Sequence, residues 1–381
     1  MSIHWTLACS ACNYAASGEQ PAATCPRCGQ PLLVQYPSLQ PDREALAGWD
    51  MWRYRAVLPL ARGEQPVGLG EGGTPLLEVP RLAGAVGVTR LWIKDEALNP
   101  TASFKARGMS AAITRARGHR VPGVVVPTAG NAGAAMAAYA AAAGIPARVF
   151  APDSTPANIL GTIRALGATL VTVPGHIGDA GRQARAFAAE SGYFDVSTLR
   201  EPYRIEGKKT MGLELAEQLG WRLPDAVVYP TGGGTGLIGM WKTFAEMAEW
   251  GWIDRNSRRP RMLVAQADGC APIVRAFHAR SDHAEPWQSP ETYASGLRVP
   301  APLGDRLILR ALYESDGDAG SASEDAIRRD TTAMAVATGI DAAPEGGCAL
   351  AVLRAMLAEG RVDRHSEVVI FNTGSGASYR L

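Results

Sequence analysis

From about Leu91 onward, short apolar runs alternate with longer Ala-rich stretches. Alternation of this kind restricts the chain to an α/β fold, a parallel sheet layered by helices. Strands are expected at 91–94 (LWIK), 124–127 (VVVP), 147–152 (ARVFAP) and 169–174 (TLVTVP). Three more are expected at 226–230 (AVVYP), 262–267 (MLVAQA) and 367–372 (EVVIFN). Helical patterns fall between them at 131–143, 178–191, 206–220 and 236–250. The stretch 281–302, rich in Pro, Ser and acids, reads as a surface loop. With 381 residues, 46% of them hydrophobic and 20% charged, the chain can bury a large core and form more than one domain. Disordered and fibrous classes are thereby excluded.

The charge sum, 38 minus 37, gives +1, so no global field points to nucleic acid or a membrane surface. No apolar run reaches the ~18 residues of a spanning helix. The opening MSIHWTLACSACNY lacks the basic and apolar regions of a signal peptide, so a cytoplasmic protein with reduced thiols is expected. Four of its six cysteines are Cys9, Cys12, Cys25 and Cys28, a C-x2-C pair, twelve residues, and a second C-x2-C pair. Two such knuckles complete a tetrahedral S4 site, which predicts structural zinc. A segment of about 35 residues cannot build its own core, so the metal would supply folding energy. Four thiolates leave no open position for zinc catalysis. Between Met1 and Tyr36 the charged residues are Arg27 and Glu19, too few for a nucleic-acid interface.

Four loops carry the chemistry. The first, Asn99-Pro100-Thr101-Ala102-Ser103-Phe104-Lys105, follows a strand and leads into a helix. Lys105 then sits in the first turn, where the macrodipole disfavours the ammonium and favours the neutral amine of a nucleophile. The second is Thr128-Ala129-Gly130-Asn131, between a strand and an Ala-rich helix. The third is Thr231 to Gly236 (TGGGTG), and the fourth is Asn372 to Gly376 (NTGSG) after the last strand. Gly-rich loops that open helices present several N–H groups to one anion. In open α/β sheets ligands collect at the carboxyl ends of strands, where these loops lie. Neither G-x-x-x-x-G-K-[ST] nor G-x-G-x-x-G is present, so a nucleotide is not indicated.

Together these loops resemble the fold type II pyridoxal-phosphate enzymes, and among them the threonine synthase family. The resemblance covers most of the chain, including EGGTPLLEVPRL at 71–82 and EPYRIEGKKT at 201–210. It implies two open, mostly parallel sheet subdomains with an N-terminal zinc ribbon. Residues 1–37 would form the ribbon and 38–381 the catalytic core, a smaller subdomain at about 95–210 being inserted in the larger one. It also implies that Lys105 is the Schiff-base lysine, with Phe104 beside the pyridine ring and Asn131 on the phenolic oxygen. Gly232, Gly233, Gly234, Thr235 and Gly236 would hold the cofactor phosphate, and Thr373 would meet the pyridine nitrogen. Where the family commonly reads SFKDRG, Ala106 follows the lysine here. Ala129, Ala132 and Ala134 replace hydroxyls near the asparagine, and TGSG replaces the usual TGHG, with Ser378 and Tyr379 following.

The implied reaction converts O-phosphohomoserine and water into threonine and phosphate. A phosphate ester needs a second anion site, for which the candidates are Ser103, Arg107, Thr128, Arg204 and Lys208. Arg204, Lys208 and Lys209 read either as an anion clamp or as a solvated helix start with Glu201 and Glu206 as counterions. The expected partners are a small-molecule amino-acid substrate and a second copy in a homodimer, with no nucleic acid and no membrane. A β-elimination or β-replacement on another amino acid, as in serine or threonine dehydratases, would use the same cofactor site. A zinc-ribbon binding module without catalysis is disfavoured by the full set of loops. Cys270 and Cys348 read as core thiols, and the aromatics at 241–252 as packing.

Overall fold

The computed structural model describes residues 3–380. The N-terminal segment supplies strands β1 (Thr6–Cys9), β2 (Ala15–Ser17) and β3 (Leu32–Gln35), antiparallel in the order β2-β1-β3. Strands β4 (Leu76–Glu78) and β5 (Arg90–Asp95) flank helix α1 (Pro80–Val86). Helix α2 (Lys105–Gly118) then opens a run of βα repeats. These are β6 (Val124–Pro127), α3 (Asn131–Ala143), β7 (Ala147–Pro152), α4 (Ala157–Ala165), β8 (Thr169–Val173), α5 (Ile177–Ser191), β9 (Phe194–Asp195) and α6 (Tyr203–Gln218). The chain continues with β10 (Ala226–Pro230), α7 (Thr235–Glu249), β11 (Arg261–Ala267), α8 (Pro272–His278) and α9 (Asp305–Glu314). It ends with β12 (Asp318–Ala322), α10 (Glu324–Thr338), α11 (Pro344–Ala358) and β13 (Glu367–Asn372).

Two compact units result. The first comprises the described residues up to Gly73, with Asn99–Thr101 and Lys105–Thr210. Besides the N-terminal sheet it holds an all-parallel sheet in the order β8-β7-β6-β9. Alanine is the best helix former and allows close approach, so α3 seals this sheet with Ala134 to Ala140, buried against Val124, Val126 and Val149. Gly144, at φ 66°, ends the helix in the left-handed conformation that glycine adopts at least cost.

The second unit takes Thr74–Leu98, Ala102–Phe104 and the described residues from Met211 onward. Its sheet runs β12-β11-β10-β13-β5-β4, parallel throughout except for antiparallel β4 at the edge. Leu91, Ile93, Val228, Leu263, Val368 and Ile370 form one core with Leu350, Leu353 and Met356 of α11. Each such side chain contributes about 1.5–3 kcal/mol by leaving water.

Each of the seven expected strands is present to within a residue at either end. Strand β12 lies outside the expected set, because DAGSA carries no β-branched or aromatic residue. It forms because β11 offers a free edge, pairing Leu263 with Asp318 through to Ala267 with Ala322. Helix α6 starts at Tyr203 rather than 206, since the Glu201 carboxylate accepts the N–H groups of Tyr203 (2.6 Å) and Arg204 (3.1 Å). The stretch 281–302 is not simply a surface loop: Ala294 and Leu297 are buried in the second unit's core. Cys270 and Cys348 are buried thiols, as expected. Among the described residues no helix is long and apolar enough to cross a membrane.

Candidate active site

In the second unit, β10 runs into the glycine loop and α7 leaves it. The Thr231 N–H donates to Ala265 O (2.8 Å), which anchors the start of the loop. Gly234 has φ 72°, and the helix begins at Thr235. A Cβ on Gly232 would lie 2.2 Å from Gly296 O, and one on Gly236 would lie 1.9 Å from the Tyr229 hydroxyl. The loop is therefore packed too closely against Gly296 and Tyr229 to take a side chain at either position. The first N–H groups of α7 have no intrahelical partner and suit an anion.

Beside it, the Phe104 N–H donates to Thr373 O (3.1 Å), and Ser103 bridges to Gly374. The Phe104 ring meets Tyr229 edge-on at 6.2 Å, and Tyr229 lies 5.5 Å from Phe371. Asn372 donates to Asp95 Oδ1 (2.8 Å) and ties the ends of β13 and β5 together. Burial pushes the Asp95 carboxyl above its ordinary value, only partly offset by this hydrogen bond. The Ser103 hydroxyl is 1% exposed and has no hydrogen-bond partner. The structure thus brings Ser103, Phe104, Gly232 to Gly236 and Thr373 into one unit, at the carboxyl ends of parallel strands.

In the first unit, Lys105 is the first residue of α2. Just before it, Thr101 and Ala102 have φ of 60° and 52°, left-handed values that cost non-glycine residues energy. Asn131 is the first residue of α3. The Thr128 hydroxyl accepts the N–H groups of Gly130 (3.0 Å) and Gly133 (3.2 Å), so it holds this loop in shape. Arg107 Nη1 donates to the Thr210 hydroxyl at 3.0 Å, across the α2–α6 crossing.

Arg204 is 1% exposed, and Lys208 and Lys209 are buried completely, so the solvated reading of this helix start is wrong. Lys209 pairs with Glu206 at 2.8 Å, both ends fully buried. Arg204 Nη1 donates to Val196 O (2.8 Å), while Nε has no hydrogen-bond partner. Burial depresses the Arg204 guanidinium from its ordinary value, against the charges of Glu201 and Asp195. Burial likewise pushes the Glu201 carboxyl up to about 7.

Sequence reading missed the carboxylate that ties α3 to the segment before β4. Glu71 accepts Tyr139 O–H (2.6 Å), Trp52 Nε1–H (3.0 Å) and Leu69 N–H (2.8 Å). Burial, with the Glu71 charge, drives the Tyr139 phenol far above its ordinary value. The residues come from three distant segments, and EGGTP was the only local signal. At the N-terminus the Sγ atoms of Cys9, Cys12, Cys25 and Cys28 lie within 4.8 Å of one another and could hold a metal ion.

Residues 67–374 match the family model described as pyridoxal-phosphate dependent enzyme. Threonine synthase of Methanosarcina acetivorans is 34% identical over 97% of this chain and 91% of that protein. Threonine synthase of Methanocaldococcus jannaschii is 35% identical over 86% of this chain and 80% of its own. Among solved structures, a threonine deaminase from T.th. is 27% identical, with a TM-score of 0.66 over 79% of this chain and 92% of that chain. Maize serine racemase, at 23% identity, shares the fold, with a TM-score of 0.68 over 80% of this chain and 88% of that chain. The cofactor class that these loops suit is therefore pyridoxal phosphate. Within that class, the chain belongs to the threonine synthase family.

Proposed function

We propose that the protein converts O-phosphohomoserine and water into threonine and phosphate, with Arg204 recognising the substrate phosphate. The observation that carries the substrate reading is the buried Arg204 guanidinium, whose Nε has no hydrogen-bond partner. A buried unpaired donor is costly, and a phosphate oxygen satisfies it with a charge-assisted bond. Lys208, one turn along α6 from Arg204 and buried beside Gly108 of α2, adds a second cation. Thr128, whose hydroxyl is already engaged, serves by holding the loop that carries Asn131.

The orphaned Ser103 hydroxyl and the glycine loop that opens α7 fit the cofactor's need for hydrogen-bond donors. When bound, pyridoxal phosphate supplies an electron sink for carbanion chemistry. The N–H groups of Gly232 to Gly236 would hold its phosphate, Phe104 would lie against its ring, Asn131 would meet the phenolic oxygen and Thr373 the ring nitrogen. The Lys105 amine would carry the cofactor and would move protons to and from the substrate carbons. Lys105 is the first residue of α2.

The four N-terminal thiols would hold structural zinc in a ribbon within residues 1–37. A tetrahedral site with Zn–S bonds of ~2.3 Å has sulfur–sulfur edges of ~3.8 Å. The separations here are 3.4 Å for Cys9–Cys28 and 3.7 Å for both Cys12–Cys25 and Cys12–Cys28.

The test incubates purified protein with O-phosphohomoserine, and separately with serine or threonine, and assays threonine, phosphate and keto acids. Threonine and phosphate should appear in equal amounts. Borohydride should fix the cofactor on Lys105, and Lys105→Ala should lose that adduct. Arg204→Ala should lower kcat/KM by about 2–3 kcal/mol with the cofactor absorption unchanged. Keto acids from serine or threonine, with no turnover of O-phosphohomoserine, would replace this reading by a dehydratase.

A further inference from the structure

We infer that the N-terminal ribbon braces the first turn of α6, and that Tyr36 and Tyr203 are positioning residues through which the ribbon sets Arg204. The inference rests on the reading of Arg204 as the phosphate-binding residue and of the ribbon as a metal site. Tyr203 immediately precedes Arg204, yet its ring belongs to the ribbon's own core, packed with Trp5, Leu7, Leu32 and Val34. Its hydroxyl donates to Gly18 O (3.3 Å), in the turn after β2. One helical turn further on, the Tyr36 hydroxyl donates to Glu206 Oε2 (2.6 Å), and Lys209 Nζ bonds to the same oxygen. The Lys209 ammonium also stands 4.2 Å over the Tyr36 ring. From the α2 side, the Arg115 guanidinium lies 4.9 Å over Trp5 and 5.8 Å over Tyr203.

Arg204 is thus flanked by two contacts, at 203 and 206–209, that the ribbon makes. A segment this short owes its fold to its metal. Loss of the metal removes the packing around Tyr203 and lets water reach the Glu206–Lys209 pair. The first turn of a helix is held by few hydrogen bonds and frays first. Arg204 then loses the burial that makes its unpaired Nε a strong anion donor. The cofactor loops lie in other segments and keep their own contacts, so phosphate recognition fails before cofactor binding does.

Hydrogen exchange on the purified holoenzyme, before and after removal of metal by a chelator, tests this, with elemental analysis giving the metal content. Exchange should rise at 203–209 together with the ribbon, while strands β6 and β10 stay protected. KM for O-phosphohomoserine and the inhibition constant of inorganic phosphate should both rise roughly tenfold, with kcat within about twofold. The cofactor absorption should not change. Tyr36→Phe keeps the ring and the metal but loses the bond to Glu206, and should shift both constants roughly threefold in the same direction. Unchanged protection at 203–209 and an unchanged inhibition constant after metal loss would overturn the brace. If O-phosphohomoserine is not turned over, the substrate reading fails, and exchange at 203–209 still decides the brace. If the protein carries no metal, exchange at 203–209 in Tyr36→Phe decides it.

Discussion

Replacing Gly207 by alanine sets two opposing terms against each other. Gly207 lies inside α6, where alanine is favoured over glycine by about 1 kcal/mol on helix propensity alone. A Cβ there would stand 2.0 Å from Arg107 O, 2.6 Å from Arg107 C and 2.9 Å from Gly108 Cα. All three atoms are backbone, so no side chain can swing away. Relaxed contacts lie at about 3.5 Å, and α6 and α2 must therefore part by roughly an ångström or more. Overpacking of this kind costs about 1–3 kcal/mol, at the upper end when backbone must move. The Arg107–Thr210 hydrogen bond spans the same crossing and stretches with it. The net loss should be about 2–3 kcal/mol, despite the gain in propensity. Gly161, in the middle of α4 with nothing within 4 Å of its would-be Cβ, is the control. Gly161→Ala should gain up to about 1 kcal/mol. Urea unfolding followed by tryptophan fluorescence measures both. A Gly207→Ala protein as stable as wild type would refute the close helix crossing.

Gly236→Ala should weaken pyridoxal-phosphate binding by at least tenfold, because its Cβ would meet the Tyr229 hydroxyl at 1.9 Å. Equilibrium titration of the apo-protein by absorbance would show this, and a wild-type Kd would count against the close packing of the loop. His119 is held down to about 4, from an ordinary 6.5, by burial and then by the charge of Arg115. The unfolded chain therefore binds the proton more readily between those values, and stability should fall as pH drops from 6.5 to 4, by about 2 kcal/mol. Urea midpoints of wild type and His119→Gln should diverge over that window, and parallel curves would show that His119 is not buried as described.

The sequence by itself determined the fold class, because strands buried on both faces must read as continuous apolar runs such as VVVP and AVVYP. It also marked the four loops and the cysteine knuckles, since turns, helix starts and metal ligands depend on residues a few positions apart. What it could not decide were features made by distant segments. The paired strand DAGSA exists only because β11 has an edge to offer. The Glu71–Tyr139 bond joins residues 68 positions apart. Burial of the cations on α6 was equally hidden. A helix start with two acids and three bases looks solvated until α2 and the N-terminal sheet are seen to cover it. Periodicity reports which face of an element is apolar, whereas desolvation of a charge depends on which element arrives to cover it. Tertiary structure alone settles that.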